Sequence, residues 1–339
     1  MIYVVAEIGC NHNGDMHLAG QLVEEAARCG VDAVKFQTFK AENLVSRFAP
    51  KAEYQVAATD SSESQLEMVK GLEMSPDDYL AMKELGESLG LDVFSTPFDD
   101  EALEFLVSTG MSTIKIASGE LTNLPFLQKI GSLKKKVILS TGMSVMDEVE
   151  SAVGILEEAG TTDITILHAT TQYPTLDSDL NLNAITSLRQ RFPSHDVGYS
   201  DHSVGYSAAT VAAALGATVI EKHFTLSHDL PGPDHKASAT PDVMRQVVQG
   251  VRFVEVALGA FEKKPVPVEK RNMVAARKSI VARRSIRKGE VFTEENLAAK
   301  RPGNGISPMR WYDVLGHVAE QDFCQDELIV SANFEPQGR

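Results

Sequence analysis

The chain has 339 residues, 43% of them hydrophobic, and a formal net charge of −15 at pH 7. This length fits one large α/β barrel of roughly 250 residues followed by a small domain. The acidic charge and the lack of a long Lys/Arg run argue against a protein that binds nucleic acid or a membrane surface.

The cysteines and the first residues of the chain indicate its compartment. Cys10, Cys29 and Cys324 form no CxxC pair, so neither a disulfide framework nor a cysteine zinc site is expected. The opening MIYVVAEIGC lacks the basic leader of a signal peptide. No apolar run approaches the roughly 20 residues that span a bilayer. We therefore expect a cytoplasmic protein.

Eight strand-like runs alternate with helix-like segments along most of the chain. The runs are mostly apolar without alternation, which is typical of strands buried on both faces of a parallel sheet. The predicted strands are Ile2–Ile8, Ala33–Phe39, Leu91–Ser95, Thr113–Ala117, Lys136–Ser140, Ile164–His168, Asp196–Ser200 and Thr218–Phe224. The predicted helices are Leu18–Cys29, Pro76–Leu89, Asp100–Thr109, Leu124–Ser132, Met146–Ala159, Leu182–Phe192, Tyr206–Leu215 and Pro241–Leu258, the last capped by Thr240.

This alternation predicts a (β/α)8 TIM barrel, although a doubly wound open sheet also alternates. Nearly every run ends in reactive or hydrogen-bonding side chains, and a barrel gathers all eight carboxyl ends around one mouth. We therefore predict a barrel at residues 1–262. Its polar strand ends include Glu7, Lys35, Gln37, Thr96, Lys115, Ser118, Ser140, His168, Asp201, His202, Glu221 and His223.

A Pro- and Lys-rich stretch, FEKKPVPVE at 261–269, breaks the barrel pattern. We predict a linker at 263–281 and a small β-rich domain at 282–339, because Gly and Pro turns separate short apolar runs there. Such a short unit has a thin core, so we expect it to dock on a barrel.

Lys35 and Lys115 lie inside apolar strand runs. Burying an unpaired ammonium group is costly, so two such lysines at one barrel mouth predict an anionic partner. Thr96, Ser118 and Ser140 add hydroxyl donors, although each alone could simply cap the following helix. Together these side chains indicate a site for a phosphorylated, carboxylated small molecule.

His202 and His223 lie at the ends of consecutive predicted strands, and each has a carboxylate nearby in sequence. A single imidazole on an apolar strand is more often a core residue, whereas a pair at adjacent strand ends favours a metal. Two protein nitrogens leave positions open for water and substrate oxygens, which suits Mn²⁺, Co²⁺ or Mg²⁺. Glu221 lies two residues before His223, so both project to the same face of the strand.

Two loops contain further polar candidates. Asp234 lies in LPGPDHKAS (230–238), where His235 and Lys236 are expected to be ordinary surface residues. Arg301, in RPGNG (301–305), is either a plain surface charge or a guanidinium that a rigid turn holds toward another site. The sequence contains no GxxxxGK[ST], GxSxG or HExxH motif, so nucleotide-dependent and serine-hydrolase mechanisms have no support.

Ordered motifs along essentially the whole chain resemble those of the sialic acid synthase family, in particular its bacterial N-acetylneuraminate synthases. The markers are AEIGCNHNG (6–14), VKFQTFKAENLVS (34–46), APKAEYQ (49–55), ESQLEM (63–68), FSTPFD (94–99), IASGELTNLP (116–125), ILSTGM (138–143), GYSDHS (198–203), EKHFTL (221–226), GPDHKAS (232–238) and KRPGNGISPM (300–309). The resemblance implies a (β/α)8 barrel followed by a small antifreeze-like (SAF) domain.

The resemblance also implies an activity, the condensation of phosphoenolpyruvate with N-acetylmannosamine and water to N-acetylneuraminate, with phosphate released by C–O cleavage. His202 and His223 would hold a divalent metal, commonly Mn²⁺, that polarises the sugar aldehyde. Phosphoenolpyruvate would contact Lys35, Thr96, Lys115, Ser118 and Ser140. The sugar would contact Glu7, Gln37, Thr171, Tyr173 and Asp234. The catalytic carboxylates would be Glu7, Glu120 and Glu221, with Glu120 or Glu221 as the base for water.

The family forms domain-swapped dimers, which implies a homodimer in which Arg301 reaches the partner's substrate. One stretch departs from the family pattern. In HATTQYP (168–174), relatives commonly have Cys at Ala169, and often Asn at Thr170 or Thr171 and an acid at Gln172. The departure concerns contacts to the sugar and not the reaction.

Three alternatives remain open at this point. A legionaminic acid synthase, acting on a 2,4-diacetamido-6-deoxy sugar, would share nearly every motif. An ice-binding protein would fit the small domain, but Arg283, Arg284, Arg287 and Lys288 are too charged for such a surface. An aldolase with a Schiff base at Lys115 would leave the paired histidines without a role.

Overall fold

The structure is a computed structural model that describes residues 1–51, 56 and 63–336. Most of the APKAEYQ motif (49–55) and the last three residues of the predicted second domain therefore lie outside the described residues. The chain divides into two compact units, Met1–Gly259 and Ala260–Arg339.

The first unit is an eight-stranded parallel barrel. Its strands are β1 (Tyr3–Gly9), β2 (Ala33–Thr38), β3 (Asp92–Pro97), β4 (Thr113–Ile116), β5 (Lys136–Ser140), β6 (Ile164–Ala169), β7 (Asp196–Asp201) and β8 (Val219–His223). Neighbouring strands follow the order β3-β2-β1-β8-β7-β6-β5-β4, and β3 also contacts β4, so the ring is nearly closed. The fold class predicted from the alternating pattern is confirmed, and the strand bounds differ from the prediction by at most two residues.

Ten helices surround this barrel in the described part of the first unit. They are α1 (Met16–Cys29), α2 (Ala41–Leu44), α3 (Gln65–Lys70), α4 (Pro76–Ser88), α5 (Asp100–Ser108), α6 (Leu124–Ser132), α7 (Met146–Ala159), α8 (Asn183–Arg191), α9 (Ser207–Ala214) and α10 (Pro241–Ala257). Helices α2 and α3 were not predicted from the sequence. Thr240 precedes α10 as expected, but its side chain makes no capping hydrogen bond.

Helix α1 shows how the sequence sets these boundaries. The Asp15 side chain accepts hydrogen bonds from the backbone N–H groups of His17 and Leu18, and so caps the first turn. The buried face consists of Ala19, Leu22, Val23, Ala26 and Cys29, at the spacing of an amphipathic helix. Gly30 ends the helix at φ 80°, a conformation that glycine adopts without steric cost.

The core fills the space between the strands and these helices. Val4, Phe36, Ile114 and Ile166 have no exposed surface, and burying such a side chain contributes about 1.5–3 kcal/mol relative to leaving it in water. In the described ranges, no helix has the length and apolar character needed to cross a membrane.

The second unit is small and largely built of short β segments. Strands β9 (Ser279–Ala282) and β10 (Leu297–Lys300) are antiparallel, and helix α12 (Trp311–Val314) packs beside a compact core that includes Ile280, Phe292 and Phe323. Helix α11 (Pro267–Ala276) occupies much of the predicted linker. The linker prediction missed this helix, which begins with proline at its first position and with the Glu269 side chain accepting from Val266 N.

Candidate active site

A cavity of about 410 Å³ opens at the carboxyl ends of the barrel strands. Strand register explains why the polar residues meet there, since Glu7 is level with Lys35 and His223, and Ser200 is level with Glu221. Thirteen of the fifteen predicted site residues line this cavity: Glu7, Lys35, Gln37, Thr96, Lys115, Ser118, Ser140, Thr171, Tyr173, His202, Glu221, His223 and Asp234.

At the floor of the cavity, Lys35 lies between two carboxylates. Its Nζ is 2.7 Å from Glu7 Oε2 and 3.9 Å from Glu221 Oε2, and it donates to Thr96 Oγ1 at 2.9 Å. The Lys35 and Glu7 side chains are only 4% and 1% exposed. The anionic partner that the sequence analysis expected for the buried lysines is therefore supplied in part by the protein itself.

Lys115 is held in a similar way on the other side of Glu221. Its Nζ donates to Ser140 Oγ at 2.7 Å and lies 3.8 Å from Glu221 Oε1. Ser200 Oγ donates to the same Glu221 oxygen at 3.2 Å. Glu221 thus lies between two ammonium groups and is well placed to act on a molecule bound against them.

Burial and these charges shift the pKa values in different directions. Burial raises the pKa of Glu7 to about 7, although Lys35 opposes the shift and Glu221 adds to it. Burial also lowers the pKa of Lys115 to about 8. For Glu221, burial would raise the pKa, but Lys115 and Lys35 together hold it below the ordinary value of 4.5. Near neutral pH, Glu221 is the carboxylate of this group that stays ionised.

The two predicted metal ligands face each other across one side of the cavity. The ring centroids of His202 and His223 are 5.3 Å apart. His202 Nδ1 donates to the carbonyl oxygen of Thr170 at 2.7 Å, which leaves Nε2 with its lone pair, as a metal ligand requires. His223 Nδ1 is buried without a hydrogen-bond partner among the described residues.

Burial lowers the pKa of both histidines, so both imidazoles are neutral at physiological pH and able to bind a cation. Among the described residues, no group of three or more His, Cys, Asp or Glu side chains has the geometry of a metal site. Two imidazole nitrogens with one orphaned ring nitrogen fit an open divalent-metal site that water and substrate oxygens would complete.

Asp234 enters the cavity from the loop after β8. Its Oδ2 is 3.7 Å from His223 Nδ1 and accepts from Cys10 Sγ at 3.5 Å. Burial raises the pKa of Asp234 to about 6. The Tyr173 ring lies 4.2 Å from His202 and 5.5 Å from His223, centroid to centroid, so Tyr173 and Asp234 flank the histidine pair.

The neighbouring His235 corrects one expectation. It is not a surface residue, because it is fully buried and its Nδ1 is 2.7 Å from Thr225 Oγ1. Lys236 is exposed as expected.

Two of the predicted site residues, both in the described part of the chain, do not line the cavity. Glu120 ends a short 3-10 turn, Ser118–Glu120, where its Oε2 accepts from Asn123 Nδ2 at 2.7 Å. Arg301 belongs to the second unit, where its Nε donates to the carbonyl oxygen of Ala276 at 3.1 Å. Of the two carboxylates considered as the base for water, Glu221 is therefore the one inside the cavity.

Ser118 and Thr171 approach each other around Gly142. A side chain at Gly142 would come within 2.3 Å of Thr171 Oγ1 and 2.8 Å of Ser118 Oγ, so a glycine is required for this close approach. The Gly142 N–H donates to Ser118 Oγ at 2.9 Å, which fixes the serine at the cavity edge.

Sequence reasoning missed several lining residues. Cys10 and Ser200 lie within quoted motifs but were given no role. An apolar group, Phe39, Leu44, Val45, Met68, Val69 and Phe98, also lines the cavity. For Phe39 the sequence did contain a signal of its place in the cavity. It lies two residues after Gln37, a predicted sugar-binding residue, and so on the same side of the chain.

Comparison with known proteins gives consistent matches over both units. Residues 22–263 match the NeuB family and residues 277–335 match the SAF domain. The N,N'-diacetyllegionaminic acid synthase of Campylobacter jejuni is 47% identical, over 96% of this chain and 98% of that protein. The N,N'-diacetyllegionaminic acid synthase of Legionella pneumophila is 44% identical, over 93% and 89%.

A solved structure extends the comparison to three dimensions. The N-acetylneuraminic acid synthetase of Leptospira borgpetersenii is 32% identical and superposes with a TM-score of 0.71, covering 80% of this chain and 90% of that one. The legionaminic acid synthases are thus clearly more similar in sequence than this sialic acid synthetase.

Proposed function

Because the chain belongs to the NeuB family of sialic acid synthases, we propose that it condenses phosphoenolpyruvate with a 2,4-diacetamido-6-deoxy sugar and water, giving N,N'-diacetyllegionaminate and phosphate. Identities of 47% and 44% to legionaminic acid synthases support this substrate. From the sequence motifs we expected N-acetylmannosamine as the sugar, whereas the higher identities to legionaminic acid synthases favour the alternative. N-acetylmannosamine remains the second candidate, on the 32% identity to a sialic acid synthetase.

The observation that carries the reaction type is the pairing of two buried lysines with two neutral histidines in one cavity. Phosphoenolpyruvate would bind at Lys35 and Lys115, with hydroxyl donors from Thr96, Ser118 and Ser140. Ammonium and hydroxyl groups in a low-dielectric site bind phosphate and carboxylate oxygens strongly. The ligand would take over part of the ion pairing that Glu7 and Glu221 now supply.

His202 and His223 would hold a divalent cation, Mn²⁺ first and Mg²⁺ or Co²⁺ as alternatives. When bound, such an ion acts as a Lewis acid toward the aldehyde oxygen of the open-chain sugar. Tyr173 and Asp234 flank the histidines, and Glu7, Gln37 and Thr171 line the same cavity. These side chains would orient the sugar so that its aldehyde carbon faces C3 of phosphoenolpyruvate.

C3 of the enol would attack the aldehyde carbon, forming the new C–C bond and leaving positive charge at C2. Glu221, ionised between Lys35 and Lys115, would stabilise that charge and take a proton from the water that adds there. The tetrahedral product would then expel phosphate by C–O cleavage. The proton that Glu221 takes from water balances the proton gained by the former aldehyde oxygen, which becomes a hydroxyl. When the C2–O bond to phosphate breaks, the C2 hydroxyl becomes the ketone and its proton leaves with phosphate.

A homodimer with exchanged small domains would complete the site. Residues 277–335 match the SAF domain, and Arg301 lies within this domain. In this arrangement, Arg301 of one subunit would contact the sugar bound in the other.

A competition experiment tests the proposed substrate. Equal concentrations of N-acetylmannosamine and the 2,4-diacetamido-6-deoxy sugar are incubated with limiting phosphoenolpyruvate and Mn²⁺, and the two products are quantified by mass spectrometry. We expect the deoxy sugar product to dominate. Dominance of N-acetylneuraminate would refute the assignment in favour of the second candidate.

A further inference from the structure

One side of the cavity is apolar and has no role in the reaction as described so far. Its lining side chains form what we call the apolar wall: Phe39, Leu44, Val45, Met68, Val69 and Phe98. Together with Ala41 and Leu66 they pack into a hydrophobic cluster of their own, separate from the barrel core. Apolar side chains that close off part of a polar catalytic cavity shape which substrate groups can lie there.

Defined secondary structure holds this wall in place. Phe39 directly follows β2 and Phe98 directly follows β3, and their rings pack edge to face with centroids 6.1 Å apart. Met68 and Val69 lie on α3, which begins with a capping box between Ser64 and Glu67. The wall is therefore a built surface of the barrel mouth.

The position of the wall fixes which part of the sugar it can meet. In the barrel ring, β2 and β3 lie across from β6 and β7, and the loops after β6 and β7 carry Tyr173 and His202. The aldehyde carbon, C1, must lie at the histidine side to react. With C1 there, an open-chain sugar that lies across the mouth would place its distal carbons, C4 to C6, against the wall.

We propose, resting on the proposed function, that the apolar wall receives the C6 methyl group and the C4 acetamido methyl group of the sugar, and so selects the 2,4-diacetamido-6-deoxy sugar over N-acetylmannosamine. N-acetylmannosamine presents hydroxyl groups at both carbons. A hydroxyl pressed against this wall loses hydrogen bonds to water without replacement.

The size of the effect follows from the chemistry of apolar pockets. One methyl group in such a pocket changes the ratio of kcat/KM values by roughly 10- to 200-fold. A polar substitution in the wall should therefore lower the ratio of kcat/KM values that favours the deoxy sugar by at least roughly tenfold. The residues that hold phosphoenolpyruvate stay unchanged in such a variant.

The test compares wild type with Leu44→Asn and Met68→Gln, which introduce amides of similar size into the wall. The measured quantity is kcat/KM for the 2,4-diacetamido-6-deoxy sugar divided by kcat/KM for N-acetylmannosamine, at saturating phosphoenolpyruvate and Mn²⁺. We expect this ratio to fall roughly tenfold in each variant. Leu66→Asn is the matched control, because Leu66 is a partly buried leucine of the same cluster that does not line the cavity among the described residues.

Thermal unfolding of each variant separates a specificity effect from a loss of folded protein. If Leu44→Asn and Met68→Gln do not fold, Val69→Thr takes their place in the test, because threonine keeps the side-chain shape of valine. A ratio that stays at the wild-type value in folded wall variants, or that falls equally in Leu66→Asn, would overturn the role of the wall. The wild-type ratio tests a different point, because a value below one contradicts the proposed function itself, whatever the variants do.

Discussion

Lys35, Glu7 and Glu221 form a chain of buried charges in which each ammonium or carboxylate has an opposite neighbour within 4 Å. Removing one member of such a group leaves an uncompensated buried charge, which is far more costly than losing a surface ion pair. The same arrangement leaves the two carboxyl groups different, because the pKa of Glu7 is raised to about 7 whereas that of Glu221 is held below its ordinary value. At the residue scale, the site is therefore set up for proton transfer before any ligand binds.

The raised pKa of Glu7 predicts a specific pH dependence of stability. Its pKa rises from 4.5 to about 7 on folding, so the folded protein binds this proton more tightly than the unfolded chain does. The resulting stabilisation is complete below about pH 4.5 and is lost as the pH rises to about 7. We expect the Tm of wild type to fall relative to that of Glu7→Gln between these pH values, as measured by calorimetry.

Glu84→Gln, a change at an exposed glutamate, should follow the wild-type curve and serves as the control. Parallel curves for wild type and Glu7→Gln would show that Glu7 does not titrate in this range.

If His202 and His223 hold the metal, replacing either histidine should sharply weaken metal binding. His223→Ala removes one of the two proposed imidazole ligands. We therefore expect turnover to be abolished and Mn²⁺ binding by titration calorimetry to become undetectable, while the circular dichroism spectrum stays unchanged. His195→Ala is the matched control, because His195 lies before β7, at the end of the strand remote from the cavity, and pairs with Glu157. Retained activity of His223→Ala at saturating Mn²⁺ would refute the metal role.

At the scale of elements, the loop after β1 holds the loop after β8. Asn11 Nδ2 donates to the carbonyl oxygen of Phe224 and to Ser238 Oγ, both at 2.8 Å. Ser238 Oγ donates in turn to the backbone oxygen of Asp234 at 2.7 Å, and Asn13 Nδ2 donates to the carbonyl oxygen of Pro231 at 2.5 Å. Asn11 and Asn13, both in the first motif, thus hold the loop that places Asp234 in the cavity.

Asn11→Ala should therefore impair sugar binding selectively. Losing buried hydrogen bonds and leaving their acceptors unpaired costs about 1–3 kcal/mol, and a loosened loop no longer holds Asp234 in place. We expect the KM for the sugar to rise roughly tenfold while the KM for phosphoenolpyruvate changes little, in steady-state kinetics.

Asn183→Ala, at an exposed position that begins α8, should leave both KM values unchanged. Equal increases in both KM values for Asn11→Ala would point to general loosening of the barrel instead.

These elements also show what the sequence could and could not predict. Lys35, Lys115, His202 and His223 were found because strand ends converge in any barrel. The apolar wall was not, because α2 and α3 are too short to show a helical period. The burial of His235 was missed for a related reason: the contact to Thr225 joins loop residues whose approach no local pattern encodes. Glu221 could be preferred over Glu120 only when the turn after β4 was seen.

At the scale of the whole molecule, the proposed exchange of small domains predicts complementation between inactive subunits. The His223→Ala subunit has a barrel without one proposed metal ligand but keeps Arg301. The Arg301→Ala subunit has an intact barrel but a small domain without Arg301. In an exchanged dimer of the two, the intact barrel meets the intact Arg301. We expect each variant alone to be nearly inactive and the co-expressed, purified heterodimer to recover activity in the phosphate-release assay.

Arg283→Ala, which removes an exposed arginine of the same unit, should stay active alone. A heterodimer as inactive as its parents would contradict the reach of Arg301 between subunits.

The central claim is a metal-dependent condensation of phosphoenolpyruvate with a 2,4-diacetamido-6-deoxy sugar in the barrel cavity. Its most direct test is phosphate release from phosphoenolpyruvate, measured with this sugar before chelation, after thorough chelation and after Mn²⁺ is restored. We expect rapid sugar-dependent release, loss of release on chelation, and recovery with Mn²⁺. Release that needs no sugar, or that continues unchanged after chelation, would contradict it.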